Sequence, residues 1–187
     1  MRLNCNINGS QYSLVVNSDK PLSLILKDLL VSFPENRQCQ GSGCRNCLVL
    51  LNGNAVLSCL VPAFKINGAS ILTFEGFQKT RFCHDIEKAY AVVGNQPCPQ
   101  CYSSKTMIIE SILNKLDKEK QSKLSAFEYS NTNGHTAHNR TGLDEVNPQL
   151  IEREIGMSSC KCIETSEIEK IINVAYRYRS KRSARRT

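Results

Sequence analysis

The sequence predicts an α+β fold in two parts, a small mixed β-sheet crossed by one helix and then a region of four helices. Three observations carry this prediction. Short apolar runs separated by Asn-Gly turns fill the first part, stripes at helical spacing fill the second, and most of the ten cysteines fall in close groups. With 187 residues and 41% apolar content, the chain has enough material for one sizeable core or two small ones.

In chain order, "RLNCNI" and "QYSLVV" flank Asn8-Gly9 and read as a hairpin. The stretch "SDKPLSLILKDLLVSF" offers Ser18 or Asp19 as a cap and Pro21 in the first turn. Leu22, Ile25, Leu26, Leu29 and Leu30 then fall on one helical face, so this helix packs on the sheet. "CLVLL", "AVLSC" and "ASILTFEG" supply further strands, with Asn52-Gly53 turning between the first two and Cys59 on the returning strand. Past about Phe77 the period changes. Ile86, Ala89, Tyr90 and Val93 form one stripe, and Ile108, Ile109, Ile112, Leu113 and Leu116 form another. A last helix carries Ile168, Ile171, Ile172 and Ala175, with Ser166 and Glu169 in capping-box register, and a fourth spans about 148–155. Residues 117–147 are polar, show no period, and read as an inserted loop; His135 and His138 within it read as solvated.

The cysteines carry the chemistry. Cys39, Cys44 and Cys47 stand in a C-x4-C-x2-C run, and Cys59 follows after a hairpin. That is the plant-type ferredoxin spacing for a 2Fe-2S cluster. Two irons bridged by two sulfides need four converging thiolates, and a single loop can bring three of them. Gly41 and Gly43 suit the loop, because its backbone must take unusual angles and bring amides close to the cluster. A second set follows: Cys98 and Cys101 at C-x2-C spacing, and Cys160 and Cys162 at C-x-C. Alone it fits zinc or a cluster; beside the first set, a second cluster is the better reading. Both pairs lie just before helices, whose N-terminal amides and dipole stabilise thiolates. Cys5 and Cys83 read as buried, unliganded residues.

Composition narrows the setting. No signal peptide or membrane-spanning run is visible, which places the chain in the cytoplasm, where clustered cysteines serve metals or redox chemistry rather than structural disulfides. The net charge of +7 owes six basic residues to "YRYRSKRSARRT", so the remainder is nearly neutral and no body-wide nucleic-acid surface is implied. No phosphate-cradling or nucleophile motif occurs.

With both cysteine sets in hand, the chain resembles the small iron-sulfur subunit of the molybdenum hydroxylases, the xanthine dehydrogenase, aldehyde oxidoreductase and carbon monoxide dehydrogenase group. The first family motif is matched by Cys39, Gly41, Cys44, Cys47 and Cys59. The second, Q-C-G-x-C-T-P-G, aligns with "PCPQCYSS" through Cys98 and Cys101, and the third, C-R-C-T-G-Y, aligns with "CKCIET" through Cys160 and Cys162. The resemblance implies a ferredoxin-like β-grasp domain at 1–78, a four-helix 2Fe-2S domain at 79–179 with an insertion at about 117–147, and a basic tail at 180–187. It implies two 2Fe-2S clusters and no catalytic residue on this chain. The implied partners are a molybdenum-binding large subunit with its pterin and an FAD-binding medium subunit, with electrons passing from the first toward the second or another acceptor. The surroundings of the second set depart from the family: Pro97 stands for Gln, Tyr102-Ser103-Ser104 for T-P-G, and Ile163-Glu164-Thr165 for T-G-Y. In the family these positions lie near the pterin, so the face toward the molybdenum partner is expected to have diverged. Two competing readings are a redox sensor or adaptor whose tail (Lys181, Arg182, Arg185, Arg186) binds nucleic acid or a partner, and a colourless zinc-stabilised module.

Overall fold

The computed structural model describes residues 1–29, 47–130, 147–158 and 160–183, with the backbone alone over 123–130 and at Ser183. Cys39, Gly41, Gly43 and Cys44 lie outside the described residues, as do His135, His138 and the basic residues beyond Ser183.

Five strands form one sheet in the order β2-β1-β5-β3-β4. β1 (Arg2–Ile7) and β2 (Ser10–Val15) pair antiparallel through the expected turn, where Asn8 and Gly9 take φ of 52° and 88°. These left-handed angles match the twist of a two-residue hairpin, which is why Asn-Gly stands there. β3 (Leu48–Leu51) and β4 (Asn54–Leu57) repeat the device at Asn52-Gly53, and β5 (Ser70–Leu72) inserts between β1, which it meets in parallel, and β3. The helix α1 (Leu22–Leu29) buries Leu22, Ile25 and Leu26 on one face of this sheet, against Leu3, Ile7 and Val49.

β3 explains its own continuous apolar run. Val49 belongs to the core under α1, whereas Leu48 and Leu50 point to the opposite face and join the core of the helices. A strand buried on both faces has no polar side to show.

On that second face lie α2 (Phe74–Phe77), α3 (Arg81–Val93), α4 (Tyr102–Ser130), α5 (Pro148–Ile155) and α6 (Thr165–Ser183). α3 starts at Thr80, whose hydroxyl accepts from the Cys83 amide, and stops at Gly94 with φ of 75°. α5 starts at Asn147, whose side chain accepts from the Gln149 amide, followed by Pro148 at the first position. The stripes on α3, α4 and α6 interlock as Ile86, Ile108, Ile112, Ile168 and Ile172. Two bonds fasten α4 to the β3–β4 hairpin: the Ala55 amide donates to Ser111 Oγ at 2.9 Å, and Asn114 Nδ2 donates to the Gly53 carbonyl at 3.1 Å. The architecture is therefore α+β, with the sheet first and the helices after it.

Four expectations need correction. Residues 117–130 are not loop but the continuation of α4, which needs no apolar stripe once it leaves the bundle and is built from good helix formers. Cys59 sits in a 3-10 turn, Ser58–Leu60, just beyond β4 rather than on the strand. The cap of α6 is Glu164, not Ser166: the Ile168 amide donates to the Glu164 carbonyl, and the Glu164 amide to Glu167 Oε2 at 3.4 Å. Residues 180–183 belong to α6 and are not a free tail.

Candidate metal centre

The described half of the first cysteine set is held at the sheet's edge. The Cys47 carbonyl accepts both the Ser58 amide, at 3.1 Å, and Ser58 Oγ, at 2.8 Å, so the residue preceding β3 and the turn carrying Cys59 are locked together. Ser58 itself is fully buried.

The second set comes together completely. The sulfurs of Cys98, Cys101, Cys160 and Cys162 all lie within 4.8 Å of one another. Cys98 Sγ is 3.3 Å from Cys101 Sγ and 4.0 Å from Cys160 Sγ, and the Cys98 amide donates to Cys162 Sγ at 3.4 Å. The local chain explains the convergence. The Cys101 amide bonds back to the Cys98 carbonyl at 2.9 Å, closing a tight turn that aims both thiols the same way just before α4 begins at Tyr102. Cys160 and Cys162 arrive from the turn before α6. Two helix N-termini thus flank four thiols, and their amides and dipoles favour negative charge there.

The thiols do not titrate alike. Hydrogen bonding, chiefly from Cys101, pulls Cys98 down to about 7, whereas burial pushes Cys101 and Cys162 up. Four thiolates cannot crowd into this space without a cation to offset them, and thiolate sulfur is a soft donor suited to iron-sulfur centres and zinc. The set is capable of ligating one iron-sulfur centre. The spacing also approaches the edge of a tetrahedron around one zinc ion, about 3.8 Å for metal-sulfur bonds of about 2.3 Å. Among the described residues this is the one group of three or more His, Cys, Asp or Glu that can hold a metal.

Behind the site, aromatic rings line the start of α4. Tyr102 meets Phe74 edge-on at 6.0 Å and Tyr90 at 5.8 Å, and Tyr90 Oη lies 3.0 Å from Thr106 Oγ1. Elsewhere among the helices, Arg179 reaches the buried Glu110 at 2.5 Å and the more exposed Asp117 at 3.1 Å and lies 4.4 Å over the Phe82 ring; Arg182 reaches Asp85 at 2.5 Å. Cys5 and Cys83 are buried, as their sequence context predicts, and burial pushes the Cys83 thiol up to about 12.

No protein-family model matches the chain. Among curated proteins, the xanthine dehydrogenase iron-sulfur-binding subunit of Escherichia coli O157:H7 is 32% identical over 113 residues, covering 60% of this chain and 70% of that protein. The chain belongs to the family of small iron-sulfur-binding subunits of the molybdenum hydroxylases. A nicotinate dehydrogenase subunit from Pseudomonas putida is 27% identical over 129 residues, 66% of this chain and 82% of its own length. Among solved structures, quinoline 2-oxidoreductase from Pseudomonas putida 86 contains a chain matched over 96% of both lengths with a TM-score of 0.59 at 20% identity. The aldehyde oxidoreductase from Desulfovibrio gigas gives a TM-score of 0.65 at 19% identity, over 97% of the present chain but 17% of that longer one. These structural likenesses establish the fold, a ferredoxin-like sheet followed by helices.

Proposed function

We propose that this subunit carries two 2Fe-2S clusters and relays electrons from a molybdenum-pterin subunit toward FAD or another acceptor. Cys39, Cys44, Cys47 and Cys59 would hold one cluster, and Cys98, Cys101, Cys160 and Cys162 the other. The observation that carries this reading is the convergence of the latter four sulfurs within 4.8 Å at the starts of α4 and α6. When bound, a 2Fe-2S cluster accepts and releases one electron at a time.

The chain's own residues do the holding. Ser58 fixes Cys47 relative to Cys59, the Cys98 amide donates to the Cys162 sulfur, and Ser111 and Asn114 tie the helix that follows Cys101 to the hairpin that precedes Cys59. A fixed separation between the two sites follows from that tie. Membership of the family supports a place in an oxidoreductase complex, with substrate chemistry on another polypeptide.

The sensor reading is weakened by the basic run itself. Of the four cations that reading assigns to phosphates, Arg182 is already engaged by Asp85, and the neighbouring Arg179 is held by Glu110 and Asp117. No helix among the described residues is long and apolar enough to cross a membrane. The test is affinity purification of the tagged full chain from its native host: molybdenum and flavin should co-purify in proportion to it. Recovery of the chain with neither would refute the assembly.

A further inference from the structure

Lys105 stands one turn after Cys101 on α4, and only 2% of it is exposed. Its Nζ has no hydrogen-bond partner among the described residues. A buried ammonium without an opposing charge is strongly unfavourable, so the position calls for an anion.

The three buried carboxylates among the described residues do not supply it. Glu110 is joined to Arg179, Asp85 to Arg182, and Glu154 to Lys115 and Arg153. Among the described residues, the group that would be anionic and has no cation paired to it is the set of four thiols once they are deprotonated, with Cys101 buried and the other three half-buried. Helix geometry brings the two together. Residues four apart share a face, and side chains lean toward the helix N-terminus, so the Lys105 stem lies back over the turn of Cys101. The Lys105 amide donates to the Cys101 carbonyl at 2.8 Å, which fixes that register, and Cys101 is itself buried.

We propose that Lys105 is the buried counter-ion of the four-cysteine centre, a positioning residue whose positive charge favours the reduced form and raises the centre's potential. The proposal rests on the reading that these cysteines hold a 2Fe-2S cluster. Two ferric ions, two sulfides and four thiolates make a dianion; one added electron makes a trianion, which a neighbouring cation stabilises more. The step adds one electron to the centre and transfers no group.

The experiment is an EPR-monitored redox titration, with dithionite as reductant, of the full chain purified without oxygen as wild type, Lys105→Met and Lys105→Arg. Methionine fills similar space without charge, and arginine keeps the charge. The methionine variant should show a reduced-to-oxidised ratio at least tenfold lower at a given potential, a fall of about 59 mV or more for a one-electron couple. The arginine variant should stay near the wild type. An iron signal from this centre with the same midpoint in the methionine variant would overturn the proposal. If iron is absent from this site in the wild type, the cluster reading fails instead. The role of Lys105 is then decided by loading wild type and Lys105→Met with zinc and following its release to EDTA: faster release from the variant supports the counter-ion, and equal rates overturn it.

Discussion

Replacing Glu110 with glutamine tests how the helical core tolerates charge behind the cysteine site. Glu110 is 3% exposed, and although Arg179 and its hydrogen bond pull the other way, burial dominates and raises the carboxyl from 4.5 to about 7. A carboxylate raised on folding binds more protons in the native state than in the unfolded one. Its contribution to stability is therefore full below about pH 4.5 and is lost as pH rises to about 7. The span corresponds to about 3 kcal/mol. For a chain of this size that is a fall of roughly 6 to 12 °C in melting temperature. Thermal melts of the full chain between pH 5 and pH 8 should show wild type losing stability relative to Glu110→Gln across this window. Parallel curves, or a wild type that gains on the variant as pH rises, would refute the claim that burial outweighs the ion pair.

Three further outcomes follow from particular contacts. Ser111→Ala removes the acceptor of the buried Ala55 amide and should cost about 1 to 3 kcal/mol in chemical denaturation, with faster amide exchange in the β3–β4 hairpin. Cys162→Ala should empty the centre at α4 and α6 while leaving the other, and Cys44→Ala should do the reverse; iron content and EPR of each variant report this, and loss of both centres from either change would contradict independent sites. Gly94→Ala places a Cβ at φ of 75°, where the end of α3 needs a left-handed residue, and should destabilise by about 1 kcal/mol without altering metal content.

Local rules made much of this molecule readable from its sequence. Asn8-Gly9 and Asn52-Gly53 are turns because few residues other than Gly and Asn take those angles readily, and Asn147-Pro148 starts a helix because one caps and the other lacks an amide to waste. The cysteine pairing was equally visible, since C-x2-C and C-x-C spacing before helices leaves few geometries for four thiols. Long-range partners were not visible. Nothing near Arg179 in the sequence announces Glu110, 69 positions away, so one member of a buried ion pair reads only as another charge in the basic run. The polar stretch beyond Leu116 lacked a period because its side chains at Lys118, Glu119 and Lys120 face water, and a helix with no buried side leaves no stripe to read. Nothing in the sequence around Lys105 marks it as buried, because its burial depends on the helices packed around α4.

Iron and acid-labile sulfide counts on the full chain purified without oxygen, with low-temperature EPR after dithionite, test the central claim most directly. Two loaded centres give a brown protein with about four irons, about four sulfides and two distinct 2Fe-2S signals. About two irons and a single signal, or zinc in a colourless protein, would contradict the claim.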